Sequence, residues 1–302
     1  MPDSLVQSAL RPLPSGVAPV GPLGFGCWRL TTSSVGQATE LIETALGLGM
    51  NLIDTADVYG LDYGGSGFGG NEAMLGQVLA ARPDLRSEMV LATKGGIVPS
   101  MPYDSSDQYL RSAVEASLRR LNVDVIDLYQ IHRPDLFAHP GRVADTLTAL
   151  VREGKVRTVG ISNYTPAQHQ ALVAHLEIPL ATTQPHYSAA HLAPLRDGTF
   201  DLCLRDGVVP LAWSPLAGGR LITGEQVPEA LLGVLDELAE RESVDRAAVA
   251  YAFVLAHPAA PVALLGTQDP GRLHAAADAL RVHLDRTDLY RIVEASEGVP
   301  LP

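Results

Sequence analysis

Short runs of β-branched and aliphatic residues alternate along this chain with segments in which apolar residues recur at three- and four-residue spacing. Residues 50–53 read as a buried strand, and residues 71–81 then carry helical spacing at Met74, Leu75, Val78 and Leu79. Residues 89–92 form the next strand, and its helix sets Val114, Leu118 and Leu121 at i, i+4 and i+7. Residues 125–131 precede a helix through Val143, Leu147 and Leu150, and residues 156–161 lead into one opened by Thr165-Pro166, an N-cap followed by proline. Further strands end near Gln184, Trp213 and Leu265, and Asp269-Pro270 opens the helix after the last of them. With residues 20–25 as the first strand, the pattern amounts to eight strand–helix units.

Continuous apolar strands joined by helical crossovers make a parallel sheet covered on both faces. Eight such units in 302 residues, with no linker or break in composition, predict one closed (β/α)8 TIM barrel rather than two doubly wound halves. The expected domain is single and spans 1–302. Residues 5–20 read as a short N-terminal hairpin turning at Gly16 and capping the bottom of the barrel.

Charge and composition narrow the partners. With 34 acidic residues against 22 Lys and Arg, the net charge is −12, and no basic cluster is present. Neutralising phosphates needs clustered cations, so neither a nucleic acid nor an anionic membrane is expected as partner. Cys27 and Cys203 are too few and too far apart for a disulfide framework or a local metal motif. The most apolar stretch, residues 247–265, is broken by His257, Pro258 and Pro261, and the first residues lack a signal-peptide pattern. These features predict a cytoplasmic protein acting on a small molecule; nothing in the sequence marks an interface, so a monomer or weak homo-oligomer is expected.

In a barrel of this kind the active site lies at the carboxyl ends of the strands. Three successive strands place reactive groups there: Asp54 and, five residues on, Tyr59 (NLIDTADVYG); Lys94 (VLATKGG); and His132 (LYQIHRPD). A phenol titrates near 10, too high for efficient proton transfer at neutral pH; a nearby ammonium lowers that value, and a carboxylate can hold the ammonium. A histidine beside them can orient a carbonyl or relay a proton. Such a set suits protonation of a carbonyl oxygen while a hydride arrives from elsewhere.

These three segments resemble the signature regions of the aldo-keto reductases, and GKVRTVGISNYTP and LAWSPLAGGRL extend the resemblance over residues 21–280. The resemblance implies a catalytic tetrad of Asp54, Tyr59, Lys94 and His132, with Tyr59 as general acid and Trp28, Tyr59 and His132 facing the substrate. It implies NADP(H) as cofactor and reversible reduction of aldehydes or ketones to alcohols. Gly26, Cys27, Trp28 and Asp54 would then lie along the nicotinamide end, Ser162, Asn163 and Gln184 would hold the carboxamide, and Trp213 would stack on the ring. Ser214, Pro215, Leu216, Gly218 and Arg220 would wrap the pyrophosphate. Gly266, Thr267, Gln268 and Arg272 would hold the adenosine phosphate. Gly266 stands where many NADP-preferring relatives have lysine, and Ala275-Ala276 replaces an acidic-amide pair that contacts adenine, which leaves room for NADH.

The sequence offers three other readings. Gly65, Gly67 and Gly70 satisfy GxGxxG literally, but they do not directly follow a strand and read as a flexible loop, with Glu72 opening the next helix. A metal hydrolase built on Asp54, Asp57, Glu72 and His132 would have Lys94 where the metal belongs, and no metal is expected. A cofactor-binding regulatory subunit without significant turnover is the alternative within the family, and His132 argues against it.

Overall fold

A strand buried on both faces has to present apolar side chains inward and outward in turn, and the strands of this chain do so. The computed structural model describes residues 4–31 and 34–302; the expected domain, 1–302, includes five residues outside these. The strands are β1 (Leu23–Gly26), β2 (Leu52–Asp54), β3 (Val90–Gly95), β4 (Ile97–Val98), β5 (Met101–Tyr103), β6 (Ile126–Ile131), β7 (Val156–Ser162), β8 (Leu180–Gln184), β9 (Val209–Ala212) and β10 (Val262–Leu265). Eight of them close into a parallel barrel in the order β1-β10-β9-β8-β7-β6-β3-β2, while β4 and β5 form a small antiparallel pair at the barrel mouth.

Helices α1 (Val35–Gly47), α2 (Gly70–Ala81), α3 (Asp107–Leu121), α4 (Pro140–Arg152), α5 (Pro166–Val173) and α6 (Thr199–Asp206) follow the first six barrel strands. The short α7 (Arg220–Thr223), α8 (Glu229–Glu242) and α9 (Arg246–Leu255) follow β9; α10 (Pro270–Ala277) and α11 (Arg286–Glu297) follow β10. The expected stripe of α4 is fully buried at Val143, Leu147 and Leu150, whereas Met74 of α2 and Leu118 of α3 are only half-buried within theirs. The expected caps are in place, a capping box at Thr165/Gln168 and the Asp269 side chain on the first turn of α10.

Two layers of core result. Phe25, Ile53, Leu91, Tyr129, Ile131 and Ile161 point outward to the helices. Leu52, Val90, Leu128, Val209, Leu211, Val262 and Leu264 fill the lower barrel together with Val17 and Val20 of the N-terminal segment. The predicted hairpin is thus a plug with one paired position, Arg11 with Val20, and Gly16 at its turn with φ +68°. Arg11 is buried and satisfied by the carbonyls of Gln7, Ala260 and Pro261.

Strand ends differ from the apolar runs in one consistent way. Strands β3 and β7 continue through Lys94 and Ser162, because backbone pairing carries on with Lys94 opposite Gln130 and Ser162 opposite Gln184. The upper barrel is lined by polar side chains, so polarity marks the change of layer and not the end of the strand.

Candidate active site

The period of two that puts Leu52, Ala92 and Leu128 inside the barrel also puts Asp54, Lys94 and Gln130 there, one layer higher. Lys94 is fully buried, and its Nζ donates to Asp54 Oδ2 at 2.6 Å, to the Thr55 carbonyl at 2.8 Å and to Tyr59 Oη at 3.2 Å. The other Asp54 oxygen accepts from Gln130 Nε2 at 3.1 Å and from Gln184 Nε2 at 3.2 Å. Both carboxylate oxygens and all three ammonium protons of this buried ion pair thereby have a partner, the condition under which such a pair is tolerated. Gln130 is absent from the sequence-predicted site, and its signal was a polar residue at an inward position of an apolar strand. Gly160 makes room for it: a Cβ there would lie 3.0 Å from the Gln130 side chain and 2.1 Å from Thr182 Oγ1.

Tyr59 reaches this cluster from the loop after β2. Thr55 N–H and Asp57 N–H bind the Ala92 and Lys94 carbonyls, both at 2.9 Å, so the loop starts as an extension of the sheet. The Tyr59 ring lies 4.8 Å from Lys94 Nζ, and His132 meets it edge-on at 5.6 Å. The four residues of the expected tetrad therefore converge on one point.

Their titration differs in part from the sequence reading. Burial disfavours the charge on Lys94, but Asp54 and Tyr59 together more than compensate, and the ammonium is held above its ordinary value. For Tyr59 burial is the largest effect; Lys94 pulls its pKa down, as expected, but the net position is above the ordinary phenol value. At neutral pH Tyr59 is a protonated phenol. Burial, with Lys94 and Arg133, holds His132 well below the usual imidazole range, so it is neutral. Its Nδ1 is buried without a partner.

Glu72 stands in the first turn of α2, as the sequence reading has it. It is a fully buried carboxylate that takes Thr93 Oγ1 at 2.5 Å and the Arg120 guanidinium at 2.6 Å, so it also ties α2 to β3 and α3. Asp57 beside it is also buried, with Oδ1 unpartnered and Tyr109 Oη 3.4 Å from Oδ2. Burial pushes its pKa up to about 8. Among the described residues no group of three or more His, Cys, Asp or Glu could hold a metal ion.

One cavity of about 1210 Å³ opens over the cluster and runs outward past Trp213 to the start of α10. Asp54, Tyr59, His132 and Trp28 line its inner end; Ser214, Pro215, Leu216 and Gly218 line its middle; Gly266, Thr267, Gln268 and Arg272 line its outer end. Ala275 and Ala276 line it too, as small side chains at the outer wall. Gly218 and Gly219 turn the middle loop with φ of +73° and +102°, a region that side chains rarely adopt.

Two expected cofactor residues are not on this cavity. Cys27 opens a tight helical turn after β1, Cys27–Arg29, and its side chain packs in the outer core, where it is fully buried. Arg220 folds back to donate to the Ala217 carbonyl at 3.0 Å. Ser162 and Asn163 line the cavity but are largely engaged with neighbours. Ser162 Oγ donates to the Gln184 carbonyl at 3.1 Å, and Asn163 Nδ2 donates to Ser162 Oγ at 2.8 Å. Asn163 Oδ1 accepts from Trp213 Nε1 at 2.9 Å, and His186 stacks on the indole at 4.1 Å. Both fix the plane of Trp213.

The sequence profile of the aldo/keto reductase family matches residues 22–297. A protein of Novosphingobium aromaticivorans named 6-dehydroglucose reductase is 46% identical over 306 aligned positions, which cover 100% of both chains. Another protein of that name, from Agrobacterium fabrum, is 35% identical over 91% of this chain and 93% of its own. Among solved structures, the glycerol dehydrogenase of Gluconobacter oxydans aligns at a TM-score of 0.84 and 28% identity, over 98% of this chain and 97% of its own. By sequence, fold and the residues gathered at its barrel mouth, this chain belongs to the aldo/keto reductase family and is one of its oxidoreductases.

Proposed function

We propose that this chain reduces an aldehyde or ketone to the alcohol, reversibly, with NADP(H), and that Tyr59 gives the carbonyl oxygen its proton. The observation that carries the reading is the position of Tyr59 Oη, 3.2 Å from a buried ammonium and at the floor of an open cavity. The full length, 1–302, is taken as one domain, since the N-terminal plug fills the barrel and Arg241 of α8 binds Asp288 of α11 at 2.8 Å.

The cavity suits a dinucleotide. It is long, glycine-turned in its middle and lined at its outer end by Arg272, and Gln268 Oε1 is buried there with no partner of its own. Trp213 is the flat wall for the nicotinamide, and Arg272 is the cation for a 2′-phosphate. Reduced nicotinamide, when bound, supplies the hydride that the carbonyl carbon receives. Tyr59, protonated because burial outweighs the pull of Lys94, transfers its proton to the oxygen, and Lys94 stabilises the phenolate left behind. His132, neutral, serves as an N–H donor that aims the carbonyl oxygen at Tyr59.

The relatives' name makes 6-dehydroglucose, an aldehyde on a hexose, the first substrate to try. Consumption of NADPH with this aldehyde is compared between the natural chain and Tyr59→Phe, and cofactor binding is followed by fluorescence of Trp28 and Trp213. The expected result is a kcat lower by ~10²- to 10⁴-fold in the variant, the usual worth of one general acid, with NADPH still bound. Retention of most of the turnover would remove Tyr59 from its role. Binding without turnover in the natural chain would leave only the regulatory alternative.

A further inference from the structure

Around Tyr59 the cavity carries three features that hydride chemistry does not use. Trp28 lines the cavity with 38% of its surface exposed, and Tyr63 props its indole edge-on at 5.3 Å and 84°. The Arg29 guanidinium lies 5.0 Å from the Tyr63 ring, so the indole is a braced plane. Its ring centroid is 6.3 Å from that of Tyr59. Asp62, next to Tyr63, also lines the cavity, and among the described residues its carboxylate meets no ion pair or hydrogen-bond donor. Arg133 follows His132 onto the same wall; its guanidinium has no carboxylate partner among the described residues, and it lies 6.0 Å from the Trp213 ring.

A held aromatic plane, a free acceptor and a free donor in one cavity form a chemically narrow set. An alkyl aldehyde would leave both charges unused. An anionic substrate would be opposed by Asp62, and a cationic one by Arg133. A sugar matches all three: its C–H face lies on an indole, adjacent hydroxyls donate to a carboxylate, and a hydroxyl or ring oxygen accepts from a guanidinium.

We propose that Asp62 and Arg133 are specificity-determining residues that hold the hydroxyls of a sugar aldehyde lying against Trp28. The proposal rests on the reductase reading above and extends it to residues outside the tetrad. Its test measures kcat/KM for 6-dehydroglucose and for butanal, with NADPH, in the natural chain and in Asp62→Ala, Asp62→Asn and Arg133→Ala. The ratio of the two kcat/KM values falls ~10- to 100-fold in each alanine variant, as expected when a charged hydrogen-bonding partner is lost, and the sugar's KM carries most of the change. Asp62→Asn, which keeps an acceptor, loses less.

A ratio that stays within about twofold in both alanine variants overturns the proposal. Weakened NADPH binding in Arg133→Ala assigns that residue to the cofactor and overturns its part. A natural chain that reduces butanal but no sugar aldehyde also overturns the proposal and leaves the reductase reading standing. A chain inert to both aldehydes fails the reductase reading itself.

Discussion

At the inner end of the cavity Lys94 is fully buried and meets three partners within 3.2 Å; at the outer end Arg272 keeps 79% of its side chain exposed and finds its nearest carboxylate, Asp269, at 3.7 Å. Lys94 lies beneath the cavity floor made by Asp54 and Tyr59, whereas Arg272 lines the cavity itself. The first is placed by two barrel strands and by a carboxylate that is itself held by two glutamines. The second sits on the first turn of an outer helix, with water on most sides. Burial multiplies the strength of each interaction and the cost of breaking it, whereas exposure leaves only weak, screened ones. The end proposed to carry the chemistry is therefore rigid and intolerant of change, and the end proposed to choose between cofactors is adjustable at little cost.

The sharpest way to break this contrast is Lys94→Met. It strands the buried Asp54 carboxylate, and removing one partner of a buried pair costs ~3–5 kcal/mol. Denaturant unfolding measures the loss. The double variant Asp54→Asn with Lys94→Met should recover part of it, because no uncompensated charge remains. A single-variant cost under about 1 kcal/mol, the range of an exposed pair, would erase the difference between the two ends.

A second, pH-dependent effect belongs to the buried end. Asp57 has a folded-state pKa of about 8, far above the ordinary ~4 of an unfolded aspartate. The folded chain holds a proton that the unfolded chain releases, so this stability is complete below the unfolded value. It is lost as pH rises, until the folded value is passed. Between about pH 5 and 8 the natural chain should lose roughly 3 kcal/mol relative to Asp57→Asn, at up to ~1.4 kcal/mol per pH unit. Parallel stability curves for the two proteins would show that Asp57 is ionised when folded.

The smallest effect is expected at the outer end. Arg272→Ala should lower the preference for NADPH over NADH ~10-fold through loss of a charge-assisted contact, while stability stays within ~0.5 kcal/mol. Titration with both cofactors and a melting curve check this. A large fall in stability would mean that Arg272 is structural after all.

Much of the site was legible before the fold was seen, for a local reason. Asp54, Lys94 and His132 each end an apolar run, and the barrel brings the carboxyl ends of its strands to one mouth. Gln130 was missed because it lies inside a run, and only knowledge of which face points inward gives it meaning. Cys27 and Arg220 were placed on the cofactor because they stand within matching segments. Both stand in tight helical turns, Cys27 just after β1 and Arg220 at the start of α7, where successive side chains fan out in different directions, so a matching segment does not place each of its side chains. Glu72 is the helix-start charge that the sequence shows, but only packing of α2 against α3 and β3 brings Arg120 and Thr93 to it.

The sequence by itself determined the architecture and named the candidate reacting groups, since both depend on period, run length and residue type along the chain. The tertiary structure decided their state. Whether Tyr59 keeps its proton, whether His132 is charged, and which cations are left free for a ligand depend on burial and on partners far away in the chain. Those electrostatic effects come from distance and dielectric in three dimensions, which no local stretch of sequence contains.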